Sequence, residues 1–254
     1  MSTKKFDPFV SEWVSFVKNP NHNLIEKCLK LAQILEYPEL DISKYIQKIR
    51  ELGNSLKLKI GAGKNPTYLI SMLNEYLFEE RGFLGNEEDY YDPGNSFLNV
   101  VLDKKTGIPI TISIIYSEIA KYIGLDLRIV GFPGHVIVKY KDEIILDPFY
   151  HGILLTIEDL EENLNRNFGE DVEFIPEYLN EATTEQLLTR LLRNLKNAYT
   201  QSYAYDKAIR CADMILEIQP ESTEEIRDKG ILEERLLHYD KALPLLNKYL
   251  ELEP

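Results

Sequence analysis

Apolar positions recur at helical spacing through the first ninety residues. In DISKYIQKIREL, Ile42, Tyr45, Ile46, Ile49 and Leu52 fall on one face behind Asp41 as a cap, and Gly53 stands near the expected stop. In NPTYLISMLNEYLF, Leu69, Met72, Leu73, Tyr76 and Leu77 repeat that pattern, with Thr67 as the expected cap. Both stripes read as core faces. The pattern then changes: residues 110–123 are apolar on nearly all sides, with Pro109 just inside the start and Gly124 just past the end, which predicts one buried helix. LRIVGF, HVIVKY and EIILDPF follow as short β-branched runs, the last two joined through KDE as a hairpin, so the buried helix is expected to pack on a small antiparallel sheet. The acidic, mixed stretch over residues 156–184 reads as a linker or connecting helix.

Beyond it the chain repeats itself. YDKAIRCADMILEIQP, from Tyr205 to Pro220, aligns with YDKALPLLNKYLELEP, from Tyr239 to Pro254, at an offset of 34 residues. That period belongs to tetratricopeptide repeats, helix-turn-helix units whose small residues let paired helices approach. Ala208 and Ala242 take the small position, Pro220 and Pro254 close each unit, Tyr199 takes the aromatic position of the first unit and Gly230 the glycine of the second. Lys196 and Glu233 depart from the pattern, where a glycine and a tyrosine are usual. Two units are fewer than independent stability needs, so they are expected to dock on the part of the chain that precedes them.

Composition narrows the function. A net charge of −13 repels phosphate backbones and anionic membranes, which argues against nucleic acid and membrane as partners. Cys28 and Cys211 lie far apart within helical patterns, as expected of a reducing compartment without structural disulfides. No uncharged apolar run approaches the roughly 18 residues that span a bilayer, and the start carries no leader pattern, so the cytoplasm is the expected location. GAGK at 61–64 lacks the rest of a phosphate loop, since Leu58 and Asn65 stand where a glycine and a Ser or Thr are needed, and it reads as a flexible connector. No cofactor is expected.

The chemistry concentrates in GFPGHVIVKYKDEIILDPFYHG. A Pro-Gly turn delivers His135 onto a strand, and Asp147 follows on the next, where its carboxylate can accept the imidazole N–H and fix the tautomer. That is the base and orienter of a nucleophile triad. A buried helix ending at a glycine, a strand, a His opening the next strand and an Asp-Pro closing another resemble the transglutaminase-like, papain-related fold. More narrowly, NSFLNVVLDKKTGIPITISIIYSEIAKYIGLDLRIVGFPGHVIVKY with DPFYHG and two tetratricopeptide units is similar to the SirB-type group. The resemblance implies an α+β transglutaminase-like domain over residues 1–180, mostly helical at first with a small antiparallel sheet, then an all-α repeat pair over 181–254.

Enzymes of that fold carry a cysteine at the start of the central helix, where the helix dipole lowers the thiol pKa. Counting back from Gly124, the slot falls at residues 109–111, and it holds no cysteine. Thr111 and Ser113 are the hydroxyls nearest it and are candidate or vestigial nucleophiles. His135 and Asp147 are then either a buried pair fixing two strands or a working base and orienter; with His151 they are also weighed as metal ligands, without the spacing that such a site needs. His22 and His238 read as exposed. On the repeats, Arg193 and Arg227 occupy equivalent places with Asn197 beside them, a surface for a carboxylate-bearing peptide unless the arginines pair with Glu185 or Glu224. The resulting expectation is a non-catalytic protein-interaction or regulatory module. Its competitor is a hydrolase or acyltransferase in which Thr111 or Ser113 attacks.

Overall fold

The structure, a computed structural model, describes residues 8–60, 65–169 and 172–253. The GAGK connector and Pro254 lie outside the described residues. Eleven α-helices among those residues are α1 Pro8–Val17, α2 Leu24–Leu35, α3 Ile42–Ile60, α4 Pro66–Asn74, α5 Leu98–Lys104, α6 Pro109–Lys121, α7 Ile157–Phe168, α8 Thr184–Gln201, α9 Tyr205–Ile218, α10 Thr223–Arg235 and α11 Tyr239–Leu252. Strands β1 Leu84–Gly85 and β2 Thr106–Gly107 form a short parallel pair; β3 Leu127–Val130, β4 Ile137–Tyr140, β5 Ile144–Asp147 and β6 Ile153–Leu155 form an antiparallel sheet in sequence order. The chain divides into two compact units that do not follow the expected linear boundary at residue 180. One holds Asp41–Tyr90 and Gly94–Leu187; the other joins the residues up to Leu40, Tyr91–Pro93 and those from Leu188 onward.

The first unit is organised by α6, whose residues from Pro109 to Ser117 are all buried. Pro109 occupies its first turn and Gly124, at φ +78°, turns the chain out after it, as the sequence predicts. Asp41 caps α3 by accepting from the Ser43 N–H at 3.0 Å. Gly53, however, does not stop that helix. It lies inside α3 because a Cβ there would meet the Tyr122 ring at 2.3 Å, so the glycine marks a close approach to α6. Thr67 does not cap α4 either: Asn65 does, accepting from the Tyr68 N–H at 2.9 Å ahead of Pro66. The residues that follow α4, Glu75–Glu80, wind as a π-helix and bury Tyr76, Leu77 and Phe78.

The KDE turn joins β4 to β5 with Val138 opposite Leu146, as expected. β6 is an addition, three residues too short to stand out by alternation, paired with β5 through Leu146 and Leu154. The stretch expected as a linker or connecting helix begins as a helix, α7, and is part of the core. Thr156 and Asp159 form a capping box for α7, which buries Leu160 and Leu164 against Val130, Phe132 and Ile137. Past α7, the Ala182 N–H donates to Ile129 O at 2.9 Å and Glu181 bridges Val130, so this segment also closes the β3 edge.

In the second unit the four repeat helices do not stand alone, because α1 and α2 join them. The Trp13 indole, fully buried, donates to Met214 O at 3.1 Å, and α1 packs along α9. At the end of α2, Glu36 accepts from Tyr199 at 2.8 Å and from the Lys207 ammonium. Ala208 and Ala242 are buried as the repeat pattern requires, and a Cβ on Gly230 would meet Leu246 of α11 at 2.8 Å. A third helical pair thus supplies the burial that two repeats lack.

Candidate functional site

His135 does not open β4; it sits in the bend two residues before it, where its N–H donates to Phe132 O at 3.0 Å. Gly134 at φ +73° makes that bend, with Asn167 packed where a side chain would stand. Asp147 is the last residue of β5 and is 1% exposed. Its two oxygens have separate tasks. Oδ1 accepts from the Phe149 N–H at 3.0 Å, capping the 3-10 turn Pro148–Tyr150, and Oδ2 lies 2.7 Å from His135 Nε2. An ionised carboxylate can only accept, so Nε2 is the donor of this bond and Nδ1 is the ring nitrogen left to face the rest of the site.

The question is what Nδ1 faces. The His135 ring lies edge-on to Phe149, centroids 6.1 Å apart, and stacks with Tyr150 at 6.3 Å. Burial, Glu87 and Asp147 raise the Tyr150 pKa, so its hydroxyl stays protonated near neutrality. Among the described residues no hydroxyl, thiol or carboxylate bonds Nδ1. Thr111 is fully buried and committed to the start of α6: its Oγ1 accepts from the Ile108 N–H at 3.1 Å and donates to Asn95 O at 2.8 Å. Ser113 is also fully buried, and its hydroxyl donates to the carbonyl of Val136, the residue after the histidine, at 3.4 Å. Cys28 and Cys211 belong to the other compact unit; both are buried, and burial pushes the Cys28 thiol up to about 12 and raises that of Cys211. His151 does not join the pair, since it stacks on Phe78 at 5.2 Å, and among the described residues no three metal-ligating side chains converge.

On the repeats, Arg193 and Arg227 are each already engaged. Arg193 donates to Glu225 Oε1 at 2.8 Å and Glu224 Oε2 at 2.9 Å, and Arg227 to its neighbour Asp228 at 2.7 Å. Between them Lys196 bonds Glu225 and Asp228, each at 2.6 Å. Asn197 is exposed beside this network. His22 and His238 are both partly buried: His22 stacks on Phe16 at 3.8 Å, and His238 bonds Glu233 through Nδ1 at 2.7 Å.

Comparison with known proteins agrees with this fold. A family model described as the transglutaminase-like superfamily matches residues 43–193. The chain belongs to that superfamily. A tetratricopeptide repeat model matches residues 195–254, so a transglutaminase-like core is followed by repeats. Among curated proteins, a UPF0162 protein of Xylella fastidiosa is 35% identical over 225 residues, covering 86% of this chain and 80% of that protein. A UPF0162 protein of Vibrio cholerae is 27% identical over 232 residues, covering 90% and 85%. F-box only protein 21 of Homo sapiens is 31% identical over 147 residues, covering 51% of this chain and 23% of that protein. No solved structure matches.

Within the transglutaminase-like unit, sequence reasoning missed the residues that hold the pair. Asn95 is buried and bonded through Asn86 at 3.0 Å, and it presents the carbonyl that occupies Thr111. Phe149 and Tyr150 were visible only as neighbours of Asp-Pro; the 3-10 turn swings them against the histidine. In the repeats, the unusual Lys196 was a signal, and the structure answers it with the buried Glu225.

Proposed function

We propose that this transglutaminase-like protein is non-catalytic and acts as an interaction or regulatory module through its tetratricopeptide repeats. The observation that carries the reading is His135 Nδ1, a ring nitrogen with no protein nucleophile bonded to it, while the hydroxyls of Thr111 and Ser113 are spent on backbone carbonyls. A triad needs nucleophile and base within hydrogen-bonding reach, and here base and orienter stand without the third member. The pair keeps a structural task, since it satisfies a carboxylate that would otherwise lie buried with one donor. The competing reading, a hydrolase or acyltransferase attacking through Ser113 or Thr111, draws support from the imidazole that Asp147 holds in place.

Turnover separates them. The purified chain, its His135→Ala variant and its Ser113→Ala variant are assayed on amide, ester and thioester substrates. The non-catalytic reading expects all three to match the buffer blank. Wild-type turnover lost in either folded variant would establish the enzyme instead. For partner recognition, the surface of Arg193, Asn197 and Arg227 is less favoured than the remaining faces of the repeats, because an incoming carboxylate would have to displace Glu224, Glu225 or Asp228 from the arginines.

A further inference from the structure

The 34-residue repeat gives each position of α11 a counterpart in α9, and the two helices differ in what covers them. Tyr205, Ile209 and Leu216 of α9 are partly buried, and α10 packs on that helix. Their counterparts Tyr239, Leu243 and Leu250 are 59%, 62% and 63% exposed. These residues stand four and eleven positions apart, so they share one face of α11. Alongside runs a second row at helical spacing, Asp240, Asn247 and Glu251, all exposed, while Lys241 and Lys248 occupy the opposite side. α11 therefore presents an apolar stripe with an acidic rail.

We infer that this face of α11 is the docking surface for an amphipathic helix of a partner protein whose apolar stripe is flanked by lysine or arginine. The inference rests on the reading of the protein as an interaction module and names the partner chemistry. The internal repeat supplies the kind of element, since the equivalent residues of α9 are partly buried on a helix against which α10 packs. Charge supplies the flank: Asp240 and Glu251 attract a basic row and repel an acidic one. Charge also argues against a second copy. Two α11 helices packed antiparallel about a two-fold axis bring both acidic rails to one side, Asp240 of one copy near Glu251 of the other, in a chain of net charge −13.

The test uses the full chain and two synthetic amphipathic helices with the same leucine stripe, one flanked by lysines and the other by glutamates, with binding read by fluorescence anisotropy. The lysine-flanked peptide is expected to bind at least about tenfold more tightly. Leu243→Gln with Leu250→Gln, which leaves the charge unchanged at exposed positions, should abolish binding. Asp240→Lys with Glu251→Lys should reverse the preference between the peptides. Failure of both peptides to bind, or binding that survives the glutamine pair, would overturn the inference. So would a dimer in sedimentation velocity that the glutamine pair dissolves, because a second copy would then cover the stripe. Absence of peptide binding together with absence of turnover removes this surface and leaves the non-catalytic reading in place.

Discussion

Removing the imidazole of His135 is the sharpest test of a structural role for the pair. In His135→Ala the Asp147 carboxylate, 1% exposed, keeps only the Phe149 N–H at 3.0 Å. A lost hydrogen bond to a charged group costs about 1.5–3 kcal/mol, and loss of the ring's contacts with Phe149 and Tyr150 adds about 1 kcal/mol. The sum is about 3 kcal/mol. At about 2–4 °C per kcal/mol for a chain of this size, the melting temperature should fall by about 6–12 °C in a calorimetric scan. Asp147→Ala should cost roughly 1 kcal/mol more, because it also uncaps the turn that starts at Pro148. The double variant should fall short of the sum of the singles by about 1–3 kcal/mol. A His135→Ala protein that melts within about 1 °C of wild type would refute the reasoning, since a satisfied buried carboxylate cannot lose its principal donor at no cost.

Three further outcomes follow from particular contacts. Gly53→Ala should lower stability by about 1–3 kcal/mol in urea unfolding despite the better helix propensity of alanine, because its Cβ meets the Tyr122 ring at 2.3 Å; a more stable variant would show that the two helices separate freely. Burial pushes the Asp228 carboxyl up, but the Lys196 ammonium and Arg227 outweigh it and hold the group below its ordinary value. Its contribution is therefore full above the unfolded value of about 4 and lost as pH falls through the lower folded value; Asp228→Asn should flatten that part of the acid-unfolding curve, and an unchanged curve would remove Asp228 from the account. Cys28 and Cys211, buried and with raised thiol pKa, should resist a disulfide reagent at pH 8 in the native state and both react in denaturant; rapid native labelling of either would contradict their burial.

Periodicity located the buried helix, the repeat pair and three of the four strands of the antiparallel sheet, because each rests on local spacing that burial enforces. It misplaced what depends on distant neighbours. Gly53 reads as a stop in sequence and is a contact with a residue 69 positions later, and the acidic stretch after Thr156, open in sequence between linker and helix, is a helix that joins the core through Leu160 and Leu164. The grouping of α1 and α2 with the repeats was equally illegible, since it depends on Trp13 reaching a carbonyl at Met214.

The pair itself was legible because a tight turn and an Asp-Pro at a strand end are local signals. What surrounds it was not, and this bears on function. A hydroxyl near a histidine becomes a nucleophile only if its proton points at the ring, and direction is set by the acceptors around it rather than by position along the chain. Thr111 is held by the Asn95 carbonyl from 16 residues away, and Ser113 by Val136, beside the histidine but turned to the backbone. An enzyme using Ser113 would have to break a 3.4 Å bond and rotate a fully buried side chain toward Nδ1. The weakness of that bond makes Ser113 the better of the two hydroxyls for a surviving activity, and Thr111, bonded at 2.8 and 3.1 Å, the poorer. Any residual turnover should accordingly vanish in Ser113→Ala and persist in a folded Thr111→Val. The reverse result would mean that the start of α6 reorganises when substrate binds.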